Sequence, residues 1–205
     1  MLNPKSAIDN YVRKFSEDKE TERTENTVKE LIAAFPKNEK IEHVLTKVVT
    51  INSLYHARVL DVDLHPLALH IHGIENLDDR LDEGSLTVVD DIWKSEGTRQ
   101  QYFSFATKFC SWHNPDAYAI YDTYMWEALC AYRKAKSGFV FKGNECKNYA
   151  CFHAVVTRFQ TAYDLGDCSL KKIDKFLWIL GYELIKAKRE KKAAVNRLKP
   201  QSQAV

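Results

Sequence analysis

Apolar side chains recur every three or four positions along most of this 205-residue chain, which is the period of an α-helix. Alternation of apolar and polar residues, the pattern of a half-buried strand, is nearly absent. The spacing predicts eight or nine helices and therefore an all-α fold. The predicted helices cover residues 7–17, 27–35, 41–49, a fourth that begins at 52, 64–72, 102–112, 123–134, 148–162 and 169–192.

Two segments leave the secondary structure open, and two residues mark expected breaks. Residues 87–92 fit a helix or a short strand, and residues 138–143 fit a loop or a strand. Pro36 is predicted to end the second helix, because proline cannot continue one. Gly181 is predicted to bend the last helix.

Size and composition indicate a single domain over residues 1–205, built as two lobes. An apolar fraction of 45% is enough for one well-buried core. The five cysteines include no C-x-x-C pair, which is typical of reduced thiols and of a cytoplasmic protein. No uncharged apolar run is long enough to cross a bilayer, so we expect no membrane contact. We also expect a monomer.

Charge is unevenly distributed, although the net charge is only +2. A basic C-terminal helix is predicted at about residues 186–199, with seven lysines and arginines against one glutamate. It could lie along nucleic-acid phosphates, where each neutralised charge releases a counterion. The alternative is a solvated helix end whose cations the helix dipole favours.

Residues 102–129 place a lysine and an aspartate 14 positions apart across a predicted helix–loop–helix. Lys108 lies on the apolar helix, Asn114 and Pro115 break it, and Asp122 begins the next helix. A lysine and a carboxylate in one cleft are the groups that amine catalysis uses. Each has a structural alternative, since Asp122 could be a helix N-cap and Lys108 could extend to the surface over a buried stem.

The sequence AIYDTYMWEAL around Asp122 resembles the segment that carries the essential aspartate of the 8-oxoguanine DNA glycosylases, in the helix-hairpin-helix superfamily. The resemblance implies an all-α, two-lobed fold of the helix-hairpin-helix DNA glycosylase type. It also implies that Asp122 is the catalytic carboxylate and that Lys108 is the nucleophile of a bifunctional enzyme. Upstream, VVTINSLYHARV at residues 48–59 resembles the asparagine-bearing helix start whose polar side chains enter the space left by the extruded base.

Five residues are predicted to contact the DNA or the extruded base. Asn52 and Tyr55 are expected to fill the vacated space or contact the orphan base, and Trp112 and Trp126 are candidate aromatic walls of a base pocket. His113 follows Trp112 and completes the set. The alternatives are a helix cap for Asn52, core packing for either tryptophan, and loop hydrogen bonding for His113.

The chain departs from the family pattern just before the lysine. The glycine-rich hairpin, of the form Leu-Pro-Gly-x-Gly, is replaced by residues 95–100, which contain one glycine. This leaves open the backbone-amide contact with a DNA phosphate, and a short Lys-to-Asp spacing leaves open whether Lys108 reaches the sugar. Neither a cofactor nor a metal is expected, because no four-cysteine cluster is present and His70 and His72 are two positions apart, on different sides of a helix.

Together the residues and the resemblance predict a DNA glycosylase that flips out and excises a damaged or modified base from double-stranded DNA. The target is left open between 8-oxoguanine in DNA repair and a modified cytosine of phage DNA in antiviral defence. AP-lyase activity is left open as well. The alternative is a non-catalytic helical DNA-binding or regulatory module, and a purely structural role is the third interpretation.

Overall fold

The computed structural model describes residues 1–135, 139–142 and 148–198, with side chains described as far as residue 194. Within these residues there are ten α-helices, a 3-10 turn at Asp61–Asp63 and no strand, which confirms the all-α prediction. The glycosylase-type arrangement in two lobes stays a prediction. The helices are α1 (Pro4–Glu17), α2 (Lys19–Ala34), α3 (Ile41–Tyr55), α4 (Leu64–His72), α5 (Leu77–Asp82), α6 (Thr87–Trp93), α7 (Phe103–His113), α8 (Thr123–Ala135), α9 (Tyr149–Ala162) and α10 (Leu170–Leu198).

Helix α3 corrects one predicted boundary. It runs unbroken through Asn52, so the prediction that a new helix begins there is wrong. The helix ends at His56, whose backbone is left-handed with φ of 46°. The Asn52 amide donates to the Val59 carbonyl at 3.1 Å and accepts from the Val59 N–H at 2.9 Å. Asn52 therefore holds the turn after α3 rather than capping the start of a helix.

Other boundaries also follow from local contacts. Helix α2 begins earlier than predicted, because the Asp18 side chain accepts hydrogen bonds from the backbone N–H groups of Glu20 and Thr21. Residues 87–92 belong to α6 rather than to a strand, and the short acidic helix α5 was not predicted. Residues 138 and 143 lie outside the described part of the chain, and residues 139–142 form neither helix nor strand.

Helix α7 lies at the centre of the core. All eight side chains from residue 105 to residue 112 are buried, so the helix is enclosed on every side. Helices α2, α3, α5 and α6 pack against it. Helix α10 packs along α8 and α1, which joins the two ends of the chain. One buried apolar cluster extends from Ile8 to Leu180.

The basic residues near the C-terminus lie on the exposed end of α10. Lys186 and Arg189 are exposed, and Lys188 forms an ion pair with Glu127 of α8. Lys199 and the Arg197 side chain, which complete the predicted basic run, lie outside the described residues. Among the helices that the structure describes, none combines the length and the apolar character needed to cross a membrane.

Gly181 allows the backbones of α10 and α8 to touch. A Cβ atom at Gly181 would lie 1.8 Å from the carbonyl oxygen of Tyr124, in the first turn of α8. Helix α10 continues through Gly181, so this close approach is the reason for a glycine in the helix interior. The contact sets the spacing between the start of α8, preceded by Asp122, and the buried half of α10, which carries Asp174.

Replacing Gly181 with alanine should destabilise the fold. The added methyl group would meet backbone atoms, which cannot rotate away as a side chain can, and we expect a loss of about 1–3 kcal/mol in the free energy of unfolding. Urea denaturation measures this loss. The matched control is Gly166→Ala, because a Cβ atom at Gly166 has no neighbour within 4 Å. Equal unfolding free energies for the two variants would contradict the packing argument.

Candidate active site

Polar side chains of α7 hold the segment before α8 and bring Lys108 and Asp122 into one region. The backbone N–H of Tyr121 donates to the Thr107 hydroxyl at 3.0 Å. The carbonyl of Tyr121 accepts from the Ser104 hydroxyl, also at 3.0 Å. Both backbone groups of Tyr121 are thus fastened to α7, and Asp122 follows immediately.

Lys108 is buried rather than extended to the surface. The residue is 4% exposed, and its ammonium donates to the Ser104 hydroxyl at 2.6 Å. The alternative of a surface-reaching Lys108 is therefore wrong. Burial lowers the pKa of Lys108, while the charges of Asp122 and Asp174 act in the opposite direction. A lysine with a lowered pKa supplies the neutral amine that a nucleophile requires.

Asp122 caps helix α8, as its structural alternative predicted. Its Oδ1 atom accepts a hydrogen bond from the backbone N–H of Tyr124 at 2.6 Å. The same carboxylate acts electrostatically on Lys108 and on Asp174. The residue that caps α8 therefore also contributes to the electrostatic environment of the buried lysine.

Asp174 of α10 is the acidic residue of this region that the sequence reasoning missed. It is 9% exposed. Burial raises the pKa of Asp174 to about 6, with Lys171 opposing this rise and Asp122 adding to it. The available signal was an aspartate between the apolar residues Ile173, Phe176 and Leu177, at a position where the helical period favours a core residue.

Unpaired polar atoms are concentrated around Lys108 and Asp174. Four of the five buried side-chain atoms that lack a hydrogen-bond partner in the described residues are Glu25 Oε1, Tyr55 Oη, Trp112 Nε1 and Asp174 Oδ1. Glu25 Oε1 lies in an ion pair with Lys171 at 3.2 Å. Each of the other three atoms costs about 1–3 kcal/mol. Unsatisfied buried atoms of this kind are typical of a site that a polar ligand or an ordered water completes. We call Glu25, Tyr55, Lys108, Trp112, Asp122 and Asp174 the Lys108 cluster.

Two aromatic residues form one wall of the Lys108 cluster. The rings of Tyr55 and Trp112 lie 5.8 Å apart between centroids. The Trp112 indole N–H lies close to the Tyr55 hydroxyl without a hydrogen bond of good geometry. Burial, together with the charges of Glu25 and Asp174, raises the pKa of Tyr55. The hydroxyl therefore stays protonated and can donate to a ligand.

Two lysines of α10 lie at the solvent edge of the cluster and bind Glu25. The Lys171 and Lys175 ammonium groups lie 3.2 Å and 2.7 Å from the Glu25 carboxylate. Burial raises the pKa of Glu25, but the two lysines lower it, and the net shift is downward. Two surface cavities, of about 490 and 520 Å³, share no lining residue with the cluster.

His113 belongs to a different buried network. Its Nε2 atom lies 3.2 Å from the Lys47 ammonium, and its Nδ1 atom lies 2.8 Å from the Phe109 carbonyl. Burial and the charge of Lys47 lower the pKa of His113 to about 4, and burial lowers that of Lys47 to about 8. Neutral His113 accepts from Lys47 and donates to Phe109. These contacts place it with Lys47 rather than in the Lys108 cluster.

The other residues predicted to bind DNA divide into two groups. Tyr55 and Trp112 belong to the Lys108 cluster. The Trp126 ring instead packs 5.9 Å from that of Tyr121 and 5.2 Å from that of Phe141. Asn52 uses both polar atoms of its amide on the backbone after α3. Contact of Asn52, His113 or Trp126 with DNA stays a prediction.

The loop at residues 95–100, which replaces the glycine-rich hairpin, is held by Asp63. The backbone N–H of Arg99 lies 3.1 Å from each Asp63 carboxylate oxygen. The Tyr102 hydroxyl also donates to this carboxylate. An amide that would be available to a phosphate is therefore used internally.

Metal ligands are not assembled in the described ranges of the chain. No group of three or more His, Cys, Asp and Glu side chains is placed there to hold a metal ion. His70 and His72 each contact a backbone carbonyl instead, that of Asp91 at 2.7 Å and that of Glu39 at 3.0 Å.

Comparison with known proteins identifies the family. A family profile, HI_0787_N, described as an N-terminal domain, matches residues 7–117, more than half of the chain. The chain belongs to the HI_0787 N-terminal domain family. An uncharacterized protein of Haemophilus influenzae is 38% identical over 146 residues, which cover 70% of this chain and 69% of that protein. No solved structure matches the chain.

The HI_0787 N-terminal domain match divides the Lys108 cluster. Helices α1 to α7 lie almost wholly within it, and they carry Glu25, Tyr55, Lys108 and Trp112. Asp122 and Asp174 lie beyond the matched residues. The amine and the aromatic wall thus come from one part of the chain and the two aspartates from another.

Replacing Asp174 with asparagine should stabilise the protein at neutral pH. The folded pKa of about 6 exceeds the ordinary 3.8, so the folded state binds more protons than the unfolded state between these values. Stability therefore falls as pH rises through this window, by about 3 kcal/mol at most. We expect Asp174→Asn to recover about 1–3 kcal/mol at pH 7 and nothing below about pH 4.

Denaturant unfolding across pH 4–8 measures this effect. The exposed Asp116→Asn is the control, since it removes the same charge outside the cluster. An Asp174→Asn variant less stable than the wild type at pH 7 would show that the carboxylate is a structural partner.

Proposed function

We propose that this protein is a DNA glycosylase that excises a damaged or modified base from double-stranded DNA. The proposal is carried by one observation: a buried amine, Lys108, is under the electrostatic influence of two aspartates, in a cluster where two aromatic residues have polar atoms without a hydrogen-bond partner. The resemblance around Asp122 supports the same reaction. Perturbed lysines and carboxylates that share an enclosed site are typical of catalytic machinery.

The unpaired atoms suit a base that has left the DNA stack. Extruding a nucleotide costs a few kcal/mol, which contacts in the pocket must offset. The Trp112 indole N–H and the Tyr55 hydroxyl can donate to acceptors on the base, and the Asp174 carboxyl can accept from an amino or imino group. Each contact would also pair an atom that has no partner in the free protein.

The proposed chemistry uses Lys108 and Asp122 together. The neutral Lys108 amine attacks C1′ of the deoxyribose, and a C–N bond forms as the glycosidic bond breaks. The bonding electron pair leaves with the base, which is then protonated. The Asp122 carboxylate stabilises the positive charge that develops on the sugar. Loss of a proton from the new ammonium and opening of the sugar ring give a Schiff base, the intermediate of AP-lyase activity.

A monofunctional course needs only Asp122. Its carboxylate would orient a water molecule toward C1′, and Lys108 would act as a nearby charge.

The proposal includes two target bases, 8-oxoguanine in repair and a modified cytosine of phage DNA in defence. Exposed Lys186 and Arg189 on α10 supply candidate phosphate contacts.

Borohydride trapping tests whether Lys108 is the nucleophile. Purified protein is incubated with duplexes that carry 8-oxoguanine, an abasic site or phage-derived modified cytosine. Reduction should fix a covalent adduct that Lys108→Gln loses entirely, because glutamine has no nucleophilic amine. Lys134→Gln, at an exposed position of α8, should keep the adduct. An adduct that survives in Lys108→Gln would move the nucleophile elsewhere.

Alkaline cleavage of the same duplexes tests Asp122. We expect Asp122→Asn to slow base release by about 100-fold or more, with nearly unchanged DNA affinity, because the lost interaction acts on the transition state. Asp116→Asn should release bases at the wild-type rate. Alkali-labile sites without a trapped adduct would indicate a monofunctional enzyme. DNA binding without either signal would favour the non-catalytic binding module.

A further inference from the structure

The Glu25 carboxylate lies between two lysines, in the position that an anion from solution would take. It projects from α2, and its side chain is 10% exposed. Lys171 and Lys175, which receive it, are 23% and 15% exposed at their side chains. The two lysines are four positions apart on α10, so their side chains lie on the same face. Together they form a cationic pair that solvent can still reach.

The two lysines are each held by a second contact that does not involve Glu25. The Lys171 ammonium lies 4.5 Å from the ring centroid of Trp112. The Lys175 ammonium lies 4.7 Å from the ring centroid of Phe15. Cation–π contacts of this kind fix the direction of a lysine side chain. The cationic pair would therefore persist if Glu25 withdrew.

Glu25 fits the cationic pair imperfectly. Its Oε1 atom lies 3.2 Å from the Lys171 ammonium, yet it forms no hydrogen bond of good geometry. Its charge also acts unfavourably on the Asp174 carboxylate. In the same cluster, the Tyr55 hydroxyl and the Trp112 indole nitrogen have no hydrogen-bond partner. A contact that served stability alone would be expected to avoid this repulsion and to leave fewer polar atoms without hydrogen bonds.

We propose that Lys171 and Lys175 form a phosphate-binding site, and that Glu25 occupies this site in the free protein and yields it when a phosphate binds. A phosphate offers more acceptor oxygens than a carboxylate and so can satisfy both ammonium groups. The inference rests on the proposed function for the source of the phosphate, which would be the DNA backbone beside the extruded nucleotide. Departure of Glu25 opens the Lys108 cluster, so phosphate binding and access to the site are coupled.

The decisive variant is Glu25→Gln, compared with Glu22→Gln. Both remove one negative charge from α2, but Glu22 is exposed and Glu25 lies on the cationic pair. Affinity for a short duplex with a stable abasic-site analogue is measured by fluorescence anisotropy at one salt concentration. Removing the internal competitor should tighten binding by about tenfold in Glu25→Gln and leave Glu22→Gln close to the wild type. Adding Lys171→Gln and Lys175→Gln should abolish the gain.

Inorganic phosphate separates this inference from the glycosylase proposal. Phosphate should raise the melting temperature of Glu25→Gln more than that of the wild type, and should not do so once both lysines are replaced. A phosphate response without DNA binding by any variant would keep the anion site and remove the glycosylase proposal. A cooperatively melting Glu25→Gln that binds neither DNA nor phosphate more tightly than Glu22→Gln would overturn the inference. Should Glu25→Gln not fold, Lys171→Gln with Lys175→Gln decides, and wild-type affinity in that variant overturns it too.

Discussion

A basic group inside the most enclosed helix is the constraint on which the arrangement of the core depends. Helix α7 is buried on all sides, yet Lys108 lies in its middle. Transfer of an ammonium from water into a protein interior costs several kcal/mol unless other charges and hydrogen bonds compensate. Here the compensation comes from Ser104 one turn earlier and from Asp122 and Asp174 on later helices. A leucine at this position would pack without any of them.

The surroundings of Lys108 differ from those of Lys47, the other buried lysine among the described residues. The ammonium of Lys47 donates to the Lys37 carbonyl at 3.2 Å and to the Asn38 side chain at 2.8 Å, and Asn38 is held in turn by Asp78. That network pairs its polar atoms, as a structural site should. In the Lys108 cluster, by contrast, Tyr55 Oη, Trp112 Nε1 and Asp174 Oδ1 have no hydrogen-bond partner, and the Asp174 carboxyl has a pKa of about 6. Both buried lysines therefore have hydrogen-bond partners, and they differ in the side-chain atoms that surround them.

The sequence predicted what depends on local spacing and missed what depends on distant pairing. The helical period and the Asn114–Pro115 break placed Lys108 and Asp122 on adjacent helices, and both helices form. Asp174 and Glu25 were missed because nothing in the sequence around either residue indicates that α2 and α10 meet beside α7. The prediction that a helix begins at Asn52 was wrong for a physical reason. Asparagine can hydrogen-bond the backbone at either end of a helix, so the residue type alone does not say which end it marks.

The division of the cluster between two parts of the chain has an electrostatic consequence. The family match at residues 7–117 contains Lys108 and its aromatic neighbours, whereas the aspartates that act on the ammonium follow it. Two hydroxyls of α7 hold the backbone of Tyr121, which precedes the first aspartate, and Gly181 lets α10, which carries the second, approach the start of α8. Because both aspartates lie beyond residue 117, the charges that favour the protonated form of Lys108 come from outside the matched part of the chain. Any chemistry that combines this amine with either aspartate therefore needs residues from both parts.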